Sequence, residues 1–302
     1  MRFFRLANIC MALSAILVAV SIVLLFIPGP SMSIEFTGGT LMELSVPAEK
    51  GSPETLHEAV SSFARTDGPL IGTSIARTKT GTFFLRTPTL SNEEHLQLLA
   101  HMKQKLGAVE ELQYTTIGPT VGTSLKRSAV FALGIAAVAI IIYIAFAFRR
   151  MPSTLNPWIF GTSAVVALIH DIAITVGIFT ILSKFTTFQV DTLFVTALLS
   201  IMGHSVSDTI VIFDRIRDNV LHMGQREDFA FIAAQSLRQC LSRSINISVA
   251  VLTLLTALFL LGSESIHWFV LTLIIGTIIG AYSSYFIATP IVVLWRARQR
   301  RR

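Results

Sequence analysis

The stretch LFVTALLSIMGHSVSDTIVIFDRIRDN, from Leu193 to Asn219, decides the fold. It begins as an apolar run long enough to cross a bilayer, yet it carries His204 and Asp208 inside that run and then ends in a charged string. A carboxylate near the middle of a membrane helix costs about 2.5 to 3.5 kcal/mol on insertion scales, so it is retained where it faces a protein interior, a partner or a water-lined path. Asp208 is therefore the first candidate for a functional residue.

The composition places the whole chain among membrane proteins. Of its 302 residues, 52% are hydrophobic and only 14% are charged, and the mean hydropathy is strongly positive. The net charge of +6 comes mostly from short basic clusters beside apolar stretches, which the positive-inside rule explains without a nucleic-acid partner. Cys10 and Cys240 match no disulfide or metal spacing, and the sequence has no Walker loop, zinc motif or dinucleotide fingerprint. We expect no metal, no cofactor and no enzyme activity.

Six apolar stretches are each long enough to cross a bilayer of about 30 Å. They are Leu6 to Ile27, Ala129 to Phe148, Trp158 to Leu182, Leu193 to Phe213, Ile245 to Leu261 and Trp268 to Trp295. The first is too long for the apolar part of a signal peptide, so a retained anchor is favoured. The arginines at 149–150, at 215–243 and in the C-terminal tail fall on the side of the N-terminus. This predicts cytoplasmic termini, a first transmembrane helix at 1–28, an exported periplasmic domain at 29–123 and a five-helix region at 124–302.

The predicted exported domain has the pattern of a small α+β fold. Alternating and periodic apolar residues predict a strand over Glu35 to Val46, a helix from Pro53 to Arg65, a hairpin of Ile71 to Thr78 and Thr82 to Thr87 turning at Thr80-Gly81, a helix from Ser91 to Leu106, and a strand over Val109 to Ile117. Ser91 and Glu94 have the spacing of a capping box. The order βαββαβ is that of a ferredoxin-like, split βαβ domain. Its side chains His57, Glu58, His95 and His101 are expected on solvated helix faces, without a catalytic role.

Residues 214–242 form a predicted cytoplasmic amphipathic segment. Phe229, Ile232, Ala233 and Leu237 recur at helical spacing, opposite charged residues. The pattern favours a helix lying at the membrane surface. Docking to the cytoplasmic face of a partner is the alternative.

Few ionisable groups fall within the predicted spans. They are His170 and Asp171 on the third span, His204 and Asp208 on the fourth, and Arg243 at the start of the fifth. His204 and Asp208 are four residues apart and share a helix face, and the long side chain of Arg243 could reach a carboxylate inside the bundle. A carboxylate whose surroundings alternate between desolvated and cation-facing changes its proton occupancy. The pattern predicts a proton relay of Asp208, Arg243, His204 and Asp171. Arg243 could instead be a topology-setting arginine, and His170 beside Asp171 could simply hydrogen-bond a neighbouring helix.

Several strings resemble the SecF family of protein-export membrane subunits. The string IEFTGGT at 34–40 resembles the family's FTGG signature, and further similar strings lie at 190–194, 203–209, 213–219, 242–246 and 282–284. The resemblance implies half of a resistance-nodulation-division bundle that pairs with SecD, associates with the SecYEG channel and the translocating preprotein, and lies among the lipids of the bacterial inner membrane. It also implies that the proton-motive force drives export, with the family's aspartate on Asp208 and its arginine on Arg243. Three residues depart from the family pattern: Glu35, His204 and Ser207.

Two other functions stay open at the level of sequence. In a scaffold subunit, Asp208 would only hydrogen-bond a neighbouring helix, and close packing at the pair Gly276 and Gly280 would be the essential feature. In a proton-driven small-molecule exporter, the exported domain would need a large substrate pocket, for which residues 29–123 are few.

Overall fold

The computed structural model describes residues 2–47, 51–63, 70, 72–78, 81–148, 157–223 and 227–299. Its elements are α1 (Arg2–Phe26), α2 (Ile34–Thr37), β1 (Gly39–Ser45), α3 (Pro53–Ser61), β2 (Ser74–Arg77), β3 (Phe83–Thr87), α4 (Asn92–Leu106), β4 (Glu110–Ile117), α5 (Pro119–Ala147), α6 (Pro157–Phe185), α7 (Thr192–Met223), α8 (Phe229–Leu261), α9 (His267–Ser283) and α10 (Thr289–Gln299). A 3-10 turn at Glu264–Ile266 precedes α9, and a π-helix at Ser284–Ala288 joins α9 to α10. The chain divides into a small unit, residues 32–130, and a large unit, residues 1–31 with 131–302.

The small unit is a four-stranded sheet with two helices. The strand order is β2-β3-β1-β4 and each neighbouring pair is antiparallel. The predicted alternation of strands and helices is confirmed, and β3 lies between β1 and β2, as a split βαβ unit requires. Both helices begin as predicted, at the capping residues Ser52 and Ser91. Their inner faces and alternate residues of β1 and β3 form one core, which includes Met42, Leu56, Phe83, Leu85 and Leu98.

The prediction of the first strand of this unit, over Glu35 to Val46, is wrong at its start, because β1 begins at Gly39. Residues Ile34–Thr37 form one helical turn, because the Ser33 hydroxyl accepts a hydrogen bond from the Glu35 amide. Gly38 then ends the turn with a φ of 74°, a conformation that side chains other than glycine's rarely adopt. A Cβ on Gly39 would lie 2.8 Å from the Thr87 carbonyl oxygen. The two glycines therefore let the chain change from a helical turn to β1 against β3.

The expectation that the histidines of this unit are solvated is wrong for His95. Its side chain is buried, its Nε2 bonds Glu111 at 2.9 Å, and its ring stacks on Tyr114 with centroids 3.9 Å apart. His57 is exposed as expected. Three residues of the predicted elements lie outside the described residues: Arg65, Ile71 and Thr80. Thr80 is the first residue of the predicted hairpin turn.

The large unit carries the membrane-length helices, except for the first part of α5, residues 119–130, which belongs to the small unit. Over the described ranges, six helical stretches are long and apolar enough to cross a membrane, one in each of the six predicted places. Within this unit α7 packs against α6, α8 and α9, and α6 packs against α1. The contacts of α9 with α7 are close, because a Cβ on Gly280 would lie 3.0 Å from the Cβ of Ser205 and one on Gly276 would overlap the side chain of Ile201. The G-x-x-x-G pair of the last span is thus a packing surface within the chain itself.

The predicted surface helix at 214–242 is wrong. Residues 214–223 continue α7 and residues 229–242 begin α8, so both spanning helices extend into the charged segment. The apolar stripe Phe229, Ile232, Ala233 and Leu237 is buried in the core of the large unit. In that core the apolar stripe makes more apolar contact than it would make along one helix face lying on a membrane. Arg149, Arg150, Arg226 and the tail at 300–302, used to predict orientation, lie outside the described residues.

Candidate intramembrane polar site

Asp208 lies on the buried face of α7. Its side chain is only 6% exposed, and its Oδ2 atom has no hydrogen-bond partner among the described residues. One turn earlier, His204 is half-buried, and its Nε2 atom likewise lacks a partner in the described part of the chain. Ser205 and Thr209 share the buried face, whereas Ser207 is exposed on the other side of the helix. Helical periodicity therefore separates Ser207 from the site.

Asp171 forms a second and differently satisfied acidic centre on α6. It is fully buried, and its Oδ2 accepts hydrogen bonds from the Ser205 hydroxyl on α7 and, at 2.9 Å, from the Ser283 hydroxyl on α9. Its Oδ1 lies 2.9 Å from Nδ1 of His170. The carboxylate thus joins three helices. Because hydrogen bonds compensate buried charge, Asp171 can remain in the bundle without a further partner.

The π-helix at Ser284–Ala288 adds hydroxyl groups beside this centre. The Ser284 hydroxyl lies 2.9 Å from that of Thr209 on α7 and donates to the Gly280 carbonyl at 3.1 Å. In a regular helix two successive residues point in directions about 100° apart, yet Ser283 and Ser284 both reach the interior here. Single-turn π-helices occur often at functional sites. Sequence reasoning missed Ser283 and Ser284 as site residues, although the string at 282–284 was noted as similar to the SecF family.

Arg243 is not brought into contact with Asp208. It is exposed on α8, and no ion pair or hydrogen bond joins it to Asp208. Desolvation by burial is the largest influence on the Asp208 carboxyl, and the side chains of His204 and Arg243 oppose it electrostatically. The structure therefore brings His204 and Asp208 together on one helix face, links Asp171 to the same helix through Ser205, and leaves Arg243 without a direct contact to Asp208.

This arrangement suits the binding of a proton. Among the described residues, Asp208 is a desolvated carboxylate with one unpartnered oxygen, and His170 on α6 and His204 on α7 each present a ring nitrogen without a partner. Such groups exchange protons when their surroundings change. Among the residues that the structure describes, no group of three or more His, Cys, Asp or Glu side chains is placed to hold a metal ion.

In the described part of the chain, six membrane-length helices, three of which meet at the buried Asp171, define a multi-pass membrane protein with a polar intramembrane site. The family model described as "Protein export membrane protein SecD/SecF, C-terminal" matches residues 97–298, and the one described as "SecD/SecF GG Motif" matches residues 23–46. The chain therefore belongs to the SecD/SecF family of protein-export membrane proteins. The resemblance noted from the sequence is confirmed.

Similar proteins carry consistent names. The chain is 37% identical to the protein translocase subunit SecF of Thermobaculum terrenum, over 94% of this chain and 90% of that one. It is 32% identical to the subunit of the same name from Sebaldella termitidis, over 98% of this chain and 92% of that one. The crystal structure of SecDF from Thermus thermophilus matches it with a TM-score of 0.85 and 31% identity, covering 99% of this chain but 39% of SecDF. These relatives place the chain among the transport components of protein export.

Proposed function

We propose that this chain is a SecF-type subunit that uses the proton-motive force to assist protein export across the bacterial inner membrane, with Asp208 as its proton-binding group. The observation that carries the proposal is the buried Asp208 carboxylate on a membrane-length helix, with one oxygen unpartnered among the described residues. An unpaired membrane carboxylate is costly to keep, and binding a proton removes that cost. Asp171 is less suited to this task, because its oxygens already accept three hydrogen bonds.

The proposal includes partners. The Thermus thermophilus relative is named SecDF and is described as a translocon-associated membrane protein. We extend this association to the present chain, with SecD as a separate subunit, SecYEG as the channel and a translocating preprotein as the client. Residues 29–123 are then the exported domain, and both termini are cytoplasmic.

The remaining polar residues have auxiliary roles in this proposal. His204 passes protons to and from Asp208 along the same helix face, and Asp171 holds α6, α7 and α9 together around the relay. Arg243 acts on Asp208 from α8 and changes its influence as the two helices move. Moving one charge through about 100 mV supplies roughly 2.3 kcal/mol, and that energy changes the ratio of two conformations more than tenfold.

Replacing Asp208 tests the proposal directly. Asp208→Asn keeps the shape of the side chain but removes its titrating proton, so export in membranes with an intact gradient should fall to the level measured after the gradient is collapsed. Asp214→Asn is the matched control, because Asp214 is an exposed acid on the same helix. Undiminished gradient-dependent export in Asp208→Asn would refute the proton role.

A scaffold function is the second candidate, favoured by the close contacts of Gly276 and Gly280 and by the Asp171 centre. In that case Asp208→Asn should be almost silent, while substitutions at Gly276 should reduce the amount of assembled complex. Asp208→Asn therefore separates the two functions, whereas a loss of complex at Gly276 is expected under both, because that glycine packs against Ile201 within the chain.

A further inference from the structure

Four polar side chains join α7 to α8 at the charged end of the two helices. The buried Asn219 donates through Nδ2 to the Ser236 hydroxyl and to Oε1 of Gln239, each at 2.8 Å. The same Gln239 oxygen accepts a hydrogen bond from Nε of Arg215 at 2.7 Å. We call Arg215, Asn219, Ser236 and Gln239 the α7–α8 clamp.

The clamp defines the antiparallel register of the two helices. Asn219 pairs with residues 236 and 239, and Arg215 pairs with Gln239. Sγ of Cys240, the next residue on α8, lies 4.0 Å from the carbonyl oxygen of Val211, one turn before Arg215 on α7. Lower numbers on α7 thus correspond to higher numbers on α8. Asp208 lies three residues before Val211 on α7, and Arg243 lies three residues after Cys240 on α8. Each helix advances about 4.5 Å over three residues. The register therefore sets Arg243 level with Asp208.

We propose that the clamp is a positioning element that holds α8 in the register at which Arg243 acts on Asp208. The functional part of this inference rests on the proposed role of Asp208, whereas the register itself can be measured separately. A slide of one helical turn, about 5.4 Å, breaks the three interhelical hydrogen bonds. It also leaves the buried amide of Asn219 without acceptors, which disfavours the slipped arrangement.

The ion pairs within α7 provide a contrast. Arg217 pairs with Asp214 at 3.1 Å, three residues away on the same helix. Such a pair does not depend on the position of α8 and contributes little at an exposed site. Asp214→Asn is therefore a matched control for changes in the clamp.

Cross-linking in the full-length chain in membrane vesicles tests the register. Two chains are compared, and both carry Cys10→Ser and Val211→Cys. In the first, oxidation pairs Val211→Cys with the native Cys240, which reports the in-register arrangement. In the second, Cys240→Ser is combined with Ser244→Cys one turn away, so oxidation pairs Val211→Cys with Ser244→Cys and reports the off-register arrangement. Gln239→Met keeps helix propensity at an exposed position but removes the shared acceptor of two hydrogen bonds, so the ratio of in-register to off-register cross-linking should fall by about fivefold for each hydrogen bond lost. Gln239→Glu restores the acceptor and should restore the ratio. An unchanged ratio in Gln239→Met, or an equal fall in Asp214→Asn, would overturn the clamp.

The pH profile of gradient-driven export distinguishes positioning from simple stabilisation. If the clamp aligns Arg243, Gln239→Met should displace the profile in the same direction as Arg243→Leu, and Gln239→Glu should return it. A lower rate without displacement, in a background where Arg243→Leu does displace the profile, would refute the positioning role. If Arg243→Leu leaves the pH profile unchanged, the electrostatic role of Arg243 in the proposed function fails, and the positioning role of the clamp fails with it. The cross-linking ratio then still decides whether the clamp sets the register.

Discussion

Two buried aspartates on adjacent helices, Asp171 and Asp208, differ in how many of their oxygens have hydrogen-bond partners. Asp171 accepts hydrogen bonds from Ser205 and Ser283, whereas Asp208 keeps one oxygen unpartnered among the described residues. In the sequence both are single acids within apolar helices, so their presence in a membrane site was predictable. The difference between them was not, because the hydroxyl donors of Asp171 come from helices that are distant along the chain.

The Asp171 centre makes a testable contribution to stability. Ser283→Ala removes one hydroxyl donor from the buried carboxylate, and we expect a loss of about 1 kcal/mol, since hydrogen bonds between membrane helices average about 0.6 and reach about 1.7 kcal/mol. Thermal unfolding of the purified chain in one detergent measures the loss. Ser207→Ala removes an exposed hydroxyl from α7 and should leave the unfolding midpoint unchanged. Equal losses in both variants would contradict the assignment.

The stability of the first turn of α3 depends on pH through the carboxyl group of Glu54. Its backbone amide and the Ser52 hydroxyl hold the pKa of this exposed carboxyl below its ordinary value. Because the folded pKa is depressed, the stabilising effect is present above the unfolded pKa and is lost as the pH falls through the folded pKa. Amide exchange in α3 of the full chain should therefore increase, relative to α4, over that acidic window. Glu54→Gln should remove this relative change, and a change that persists in Glu54→Gln would point to another group.

At the scale of whole helices, the apolar runs predicted the six spans but not their ends. The length of an apolar run reports the thickness of a bilayer, whereas a helix continues as long as its backbone hydrogen bonds and side-chain contacts favour it. Hence α7 continues past Phe213 to Met223, where Asn219 and Arg215 find partners on α8. Those partners could not be read from a local pattern.

The contact of α9 with α7 depends on the absence of a side chain at Gly276. A Cβ there would overlap the Ile201 side chain, so we expect Gly276→Ala to lower stability by about 1 to 3 kcal/mol through overpacking. Gly134→Ala is the control, because nothing lies within 4 Å of a Cβ at Gly134. Ile201→Ala should partly rescue Gly276→Ala in a double-mutant cycle measured by unfolding. Additive losses would show that the two residues do not meet.

Across the whole molecule, the membrane-length helices are unequally covered. In their apolar stretches only 6% of α5 and 11% of α1 and α8 are buried, compared with half of α6 and α7. The well-covered helices α6 and α7 carry Asp171, His204 and Asp208, whereas Arg243 lies on the poorly covered α8. Lipid and a second subunit both provide apolar contacts, and the exposed faces of α1, α5 and α8 are available to either of them.

The orientation in the membrane is the remaining prediction at this scale. Arg215, Arg217 and Arg238 lie near the α7–α8 connection and Arg296 and Arg298 end α10, so the positive-inside rule assigns both places to the cytoplasm. Six crossings then leave the small unit outside. In a chain with Cys10→Ser and Cys240→Ala, a membrane-impermeant thiol reagent should label Glu93→Cys, exposed on α4, in intact cells, and Leu221→Cys, exposed near the end of α7, only after lysis. Labelling of Leu221→Cys in intact cells would contradict this orientation and place the α7–α8 connection outside.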